Sequence, residues 1–195
     1  VDYSGREQAR VKHYLLESYL DRLLHKVAST YRKVVYVDGY AGPWQSASEN
    51  FEDTSFGVAL AALSRARASW LTHGRQTQMI AHLVERRHSS YQRLAVLQER
   101  HPDITIVTHL GDFRTKAAEI SDSIPRDAFS FTFIDPKGWR LNLRELKPLL
   151  ARPNAEILFN FMFEFVNRAA SIADPQIVAG LDELIPIGDW RSMLP

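Results

Sequence analysis

The sequence contains no cysteine. Disulfides, thiolate metal sites and cysteine nucleophiles are therefore excluded within its 195 residues. The absence fits a reducing compartment, and a cytoplasmic location is the expectation. No apolar run is long enough to span a bilayer, so no membrane partner is expected. An initial Met and a signal-like stretch are also missing: the chain starts at Val1 and reads as part of a longer protein. An excess of one charge is lacking too, because 24 Lys and Arg face 23 Asp and Glu, for a net charge of +1. That balance gives no argument for nucleic acid by itself, since a strong electrostatic footprint needs a larger excess. Arg65, Arg67 and the run Arg86-Arg87-His88 read as solvated helix faces or loop charges. The seven histidines show no metal-ligand spacing, so no metal is assigned. Neither a G-x-S-x-G elbow nor a Walker A loop is present, which leaves hydrolase and P-loop chemistry without a basis.

What is present is an alternation. Five apolar, β-rich runs are separated by segments of helical periodicity, with no internal repeat and no low-complexity tract. This pattern predicts one α/β domain with a mostly parallel sheet and helices on both faces. The first helix is expected over about 8–29, with Val11, Tyr14, Leu15, Leu20, Leu23, Leu24 and Val27 as its apolar positions. Strands are expected at about 33–37, 79–84, 104–107, 129–134 and 156–161. Further helices are expected at about 57–69, 89–100, 115–121 and 142–150, with broken helical sequence from about 166. The polar stretch 45–54 reads as a long loop.

The first four strands each run into a polar residue or turn: Asp38, Glu85, His109 to Asp112, and Asp135. Ligands of open α/β sheets bind outside the carboxyl ends of the strands, so these residues gather where a cofactor belongs. After Asp38 come Gly39, Tyr40, Ala41 and Gly42, which let backbone approach a ligand or simply make a tight βα turn. Pro43 removes a donor and the pattern is not G-x-G-x-x-G, so a pyrophosphate cradle fits poorly. Glu85 stands where nucleotide-binding βαβ units keep the acid that accepts both ribose hydroxyls. Asp112 can accept from an adenine amino group with Phe113 on the ring, or cap the next helix, or both. Asp135-Pro136-Lys137-Gly138-Trp139 places a carboxylate, able to hold an attacking amine, before a Trp able to stack on a planar base. The plainer reading of that motif is a βα turn with a core Trp. Lys12 and His13 read from periodicity as a solvated helix face.

Three segments together resemble a known family. They are Val11-Lys12-His13-Tyr14-Leu15-Leu16-Glu17-Ser18-Tyr19-Leu20, Tyr36-Val37-Asp38-Gly39-Tyr40-Ala41-Gly42-Pro43, and Phe133-Ile134-Asp135-Pro136-Lys137-Gly138-Trp139. In this order they look like the three-Cys-motif partner protein (TcmP) family, a branch of class I methyltransferase-like proteins. The start is also similar to the 23S rRNA adenine-N6 methyltransferase family, whose first helix carries a Lys-His pair near the cofactor. The resemblance implies a Rossmann-like fold that binds S-adenosylmethionine. It sets Asp38 to Gly42 beside the methionine part, Glu85 at the ribose, Asp112 and Phe113 at the adenine, and Lys12 at the methionine carboxylate. Asp135, Pro136, Lys137 and Trp139 would form the acceptor side, for an amino group of a nucleic-acid base. Amino-methyltransferases keep Asp-Pro-Pro-Tyr there, and this chain departs from it with Lys137 and Gly138-Trp139. The departure also supports an alternative, a non-catalytic cofactor-binding module that works with a three-Cys-motif partner protein. Members of the family are longer, which implies a further substrate-binding part.

Overall fold

The computed structural model describes residues 7–42, 46, 48, 51–136, 142–161, 166–168, 172, 174–185 and 188. Their helices are α1 (Glu7–Ala28), α2 (Ser55–Thr72), α3 (His88–Leu94), α4 (Leu97–Arg100), α5 (Phe113–Ser123), α6 (Lys147–Leu150) and α7 (Pro175–Leu184). The strands are β1 (Lys33–Asp38), β2 (Gln78–Glu85), β3 (Thr105–Leu110), β4 (Phe129–Ile134) and β5 (Ala155–Phe159). They form one five-stranded sheet in the order β3-β2-β1-β4-β5, every pair parallel. The chain starts this sheet in the middle and winds outward in both directions, a Rossmann-like arrangement. The reversal between β1 and β4 opens a crevice at their carboxyl ends.

Strand side chains alternate between two buried faces. Val34, Tyr36, Phe131 and Phe133 pack with Leu16, Leu20 and Leu24 of α1, Leu60 and Leu63 of α2, and Leu94 and Leu97 of α3 and α4. Val35, Val37 and Ile134 pack with Phe113, Ala117 and Ile120 of α5, Leu149 of α6, and Leu181 and Leu184 of α7. Burial on both faces explains why β1 and β4 read as continuous apolar runs. Each such Leu or Phe side chain contributes roughly 1.5–3 kcal/mol of transfer free energy.

Polar contacts tie helices together and fix their ends. Arg65 of α2 donates to Glu17 (3.1 Å) and Asp21 (2.8 Å) of α1, and Trp70 Nε1 donates to the His25 carbonyl (2.9 Å). The Arg75 guanidinium closes the end of α1 by donating to the carbonyls of Ala28 and Thr30. Thr54 caps α2 by accepting from the Gly57 amide at 3.1 Å. Gly57 has no room for a side chain: a Cβ there would lie 1.9 Å from the Phe51 carbonyl oxygen.

Several expected boundaries move. The helix expected over 89–100 is two pieces, α3 and α4. Gln98 of α4 uses its amide to accept from Ile106 N (2.8 Å) and donate to the Ile104 carbonyl (2.9 Å), so the second piece is held to the entry of β3. β3 continues to Leu110 because Val84 and Glu85 of β2 supply partners for His109 and Leu110. Within 142–150 only Lys147–Leu150 is α-helical, with a proline in its first turn. Pro148 has no amide to extend an earlier helix but fits a new start. β5 stops at Phe159 rather than at 161, and Asn160 turns its side chain to Asp135. On α1 the buried face is His13, Leu16, Leu20, Leu24 and Val27, whereas Val11, Tyr14 and Leu15 are exposed. His13 is thus not on a solvated face, contrary to its periodicity. Among the described residues no helix is long and apolar enough to cross a membrane.

Candidate functional site

At the end of β1 the Asp38 carboxylate is fully buried. It accepts from Tyr36 Oη (3.1 Å), the Tyr40 amide (2.9 Å) and Ser55 Oγ (2.9 Å). These bonds join β1, the turn after it and the first residue of α2. Burial pushes its pKa up from 3.8 to about 6. The three hydrogen bonds oppose that rise and the nearby Asp135 charge adds to it. Burial also raises the Tyr36 phenol well above its ordinary value, and the neighbouring carboxylate raises it further.

The turn itself spends its amides inside the protein. Gly39 N donates to the Phe133 carbonyl (3.1 Å) and Ala41 N to the Val84 carbonyl (2.9 Å). Tyr40 N donates to Asp38, and Gly42 N to the Tyr40 carbonyl (2.8 Å). The turn thus hangs from the two strands beside β1 and offers no cradle of free N–H groups, in keeping with the reading against a pyrophosphate site. Gly39 is required by contact: a Cβ there would sit 2.5 Å from Phe113 Cδ1. Phe113 is buried, and its ring meets Tyr40 edge-on with centroids 5.8 Å apart. It supports the turn from beneath rather than presenting a free face. Ala41 is buried as well.

Glu85 ends β2 with only 4% of its surface exposed. Its Oε1 accepts from the Arg87 amide at 2.5 Å, and Oε2 makes no hydrogen bond among the described residues. Asp112 comes after β3 and caps α5, accepting from Arg114 N at 3.0 Å. The Arg114 guanidinium folds back on the same carboxylate at 3.1 and 3.3 Å. Partial burial raises the Asp112 pKa, but the hydrogen bonds and charge of Arg114 outweigh it and hold the carboxyl below its ordinary value.

Asp135 stands at the end of β4, one strand from Asp38. Its Oδ2 is ion-paired with the Lys12 ammonium of α1, and its Oδ1 accepts from Asn160 Nδ2 at 2.7 Å. Pro136 is buried directly behind it. Lys137 and Trp139 lie outside the described residues.

The carboxyl edge therefore brings Asp38, Glu85, Asp112 and Asp135 to the ends of four adjacent strands, with Lys12 reaching in from α1. Sequence reasoning missed the residues that hold these carboxylates: Tyr36, Ser55, Arg114 and Asn160. Only Asn160 carried a usable signal, as a lone amide ending an otherwise apolar strand beside β4. Chemically, the edge is a row of acceptors, two of them paired with the cations Lys12 and Arg114. It suits a ligand that brings hydroxyls and an amine. In comparisons with known proteins, no family model and no curated protein matches the chain.

Proposed function

We propose that this chain is a class I, S-adenosylmethionine-dependent methyltransferase domain acting on an amino group of a nucleic-acid base. The observation that carries the reading is Glu85: a carboxylate 4% exposed, at the end of β2 beside the Gly39–Gly42 turn, with one oxygen free. That oxygen is not among the side-chain atoms buried without a partner, so it opens to solvent at the strand end, where a ribose hydroxyl would take the place of water. The resemblance of the three motif segments adds the choice of cofactor.

The donor set fits that cofactor. Glu85 would take the ribose hydroxyls, and the turn Asp38 to Gly42 would flank the methionine part, its shape held by Asp38. Asp112 Oδ2 keeps a lone pair beyond its bond to Arg114 for the adenine amino group. Lys12 would serve the methionine carboxylate by moving from Asp135, which the cofactor's charge would favour. When bound, the cofactor supplies an electrophilic methyl group. Asp135, oriented by Asn160, would accept a hydrogen bond from the incoming amine and aim its lone pair at that methyl. This is catalysis by positioning and electrostatics, with no covalent enzyme intermediate. A base within a duplex would first have to be flipped out.

A second reading, a non-catalytic cofactor-binding module serving a partner protein, is favoured by one observation: both Asp135 oxygens are already engaged. Calorimetry with S-adenosylhomocysteine, then methyl transfer to single-stranded and duplex nucleic acid, separates the two. Binding with transfer, abolished by Asp135→Ala without loss of binding, is the expected result. Binding without transfer to any nucleic acid favours the second reading. A protein that binds NAD and ignores S-adenosylhomocysteine overturns both.

A further inference from the structure

A second feature lies on the α5 side of β2 and β3, and it shares no residue with the carboxyl-edge cluster. There a groove of about 530 Å³ runs along the sheet face. Its floor is apolar, made by Val35, Ile80 and Val107, with Lys33 and Gln78 toward the amino ends of the strands. His82 lines it with 4% of its surface exposed, and His109 and Glu119 stand beyond.

The three titratable residues form a chain. His109 Nδ1 lies 3.5 Å from Glu119 Oε1, and His82 Nδ1 lies 3.0 Å from His109 Nε2, with the two ring planes 22° apart and their centroids 5.3 Å apart. The charge at its outer end favours one order of protons along it. The Glu119 carboxylate 3.5 Å away favours a proton on His109 Nδ1, because a carboxylate only accepts. Burial keeps both imidazoles neutral at pH 7, because it lowers the pKa of His109 and takes that of His82 from 6.5 to about 4. A neutral imidazole has one N–H, so His109 Nε2 must accept and His82 Nδ1 must donate. His82 Nε2 is left as a bare lone pair, and no described residue donates to it. It is not among the side-chain atoms buried without a partner, so it opens into the groove, where a ligand can donate to it. The exposed Glu119 (57%) is in turn held by Lys116 at 2.8 Å. The charge at the outer end of the relay is thus fixed by α5 alone.

We propose that this groove is a binding site for a small, flat, uncharged ring that carries an N–H or O–H donor on its edge. The aliphatic floor takes the face of the ring and His82 Nε2 takes the donor. Water is a competitor of the right polarity, but it cannot cover the floor left by Ile80 and Val107. An anion is disfavoured by the lone pair. A free cation has only one imidazole nitrogen to hold it, in line with the absence of any metal-competent cluster among the described residues. The site does not depend on the methyltransferase reading, since none of its residues belongs to that cluster.

Indole and N-methylindole are the probes, because they share a ring system and differ in the donor. Each is titrated into the protein while NMR tracks the Ile80 and Val107 methyl signals and the imidazole ¹⁵N signals. The expected result is that indole binds about 10-fold more tightly than N-methylindole, as one hydrogen bond would give. The His82 spectrum should show Nδ1 protonated and Nε2 bare before indole is added. His82→Phe should remove the discrimination between the probes. If that variant does not fold, Glu119→Ala serves instead: it changes an exposed side chain, frees the His109 tautomer and should reduce the discrimination several-fold. Equal affinity for the two probes would overturn the proposal, as would no shift of the Ile80 and Val107 methyls with indole. A proton found on His82 Nε2 would overturn it equally.

Discussion

The Lys12 ammonium on the first helix is ion-paired with Asp135 at the end of β4, 123 residues later in the chain. The pair closes α1 over the crevice and joins the two motif segments farthest apart in sequence. Both partners are partly exposed, at 30% and 18% of their side-chain surface, so solvent screens the pair. Lys12→Met should therefore change stability by no more than about 1 kcal/mol. The same variant should weaken S-adenosylhomocysteine binding clearly more than it weakens folding. Chemical denaturation and calorimetry on one preparation compare the two, and a stability loss with unchanged binding would place Lys12 outside the ligand site.

Glu85 gives the sharpest ligand test. Glu85→Gln keeps the size of the side chain and loses the charge. Hydrogen bonds to a charged group are worth about 1.5–3 kcal/mol, so affinity for S-adenosylhomocysteine should fall roughly 10- to 100-fold. Thermal unfolding should stay close to wild type. A variant that binds as tightly as wild type would remove the observation on which the proposed function rests.

Asp38 and His82 make opposite demands on pH. The Asp38 carboxyl has its folded pKa raised from 3.8 to about 6, so the folded state favours its proton. Acid thus adds stability as pH falls from about 6 to the unfolded value, and the charged form costs about 3 kcal/mol above pH 6. His82 has its folded pKa lowered from 6.5 to about 4, so its proton is favoured in the unfolded state. Its effect is absent above pH 6.5 and removes up to about 3 kcal/mol as pH falls to 4. The two slopes cancel over most of that window. Asp38→Asn should be more stable than wild type at pH 7.5, with Tyr36 and Ser55 hydroxyls turning to accept from the new amide. It should then lose stability with acid more steeply, because the histidine slope stands alone. Urea denaturation at pH 4.5, 5.5 and 7.5 reads both effects, and parallel curves for the two proteins would contradict the argument.

Gly39→Ala should destabilise the fold, since the added carbon meets the Phe113 ring at 2.5 Å. Overpacking of this kind costs about 1–3 kcal/mol. Trimming the ring in the double variant Gly39→Ala, Phe113→Leu should recover part of the loss. Additive losses, measured as a double-mutant cycle in urea, would mean that the turn and the ring do not share this contact.

The fold was largely legible. The central strands β1 and β4 carry apolar runs because both sheet faces are covered there, and the first four strands run into polar residues that mark where the carboxyl edge begins. Positions 129–134 match the observed strand residue for residue, helped by flanking polar and proline residues. What misled was α1. Its exposed face carries Val11, Tyr14 and Leu15, so hydrophobic periodicity alone could not tell which stripe faces the sheet. At the edge, the strand-end carboxylates were visible as letters, but their hydrogen-bond partners were not. Arg114 is two residues from Asp112, while Ser55 reaches Asp38 only through the placement of α2 after β1, and Asn160 reaches Asp135 only through the pairing of β5 with β4. Such long-range closure leaves no local pattern. The pairing of His82 with His109 was hidden similarly, because it needs the register of β2 against β3.

The self-contained turn after β1 has a bearing on competition in a cell. Adenine nucleotides share a nucleoside with the proposed cofactor and differ in the group carried on the ribose. Adenosine triphosphate and nicotinamide dinucleotides bring several negative charges, which demand unpaired amides or a cluster of cations. From Gly39 to Gly42 every amide is already committed, and the strand ends beside it carry carboxylates. On the proposed reading, phosphorylated rivals would meet repulsion where a sulfonium would meet attraction. The turn would then act as a filter on charge sign, separate from any contact that Asp112 makes with the adenine.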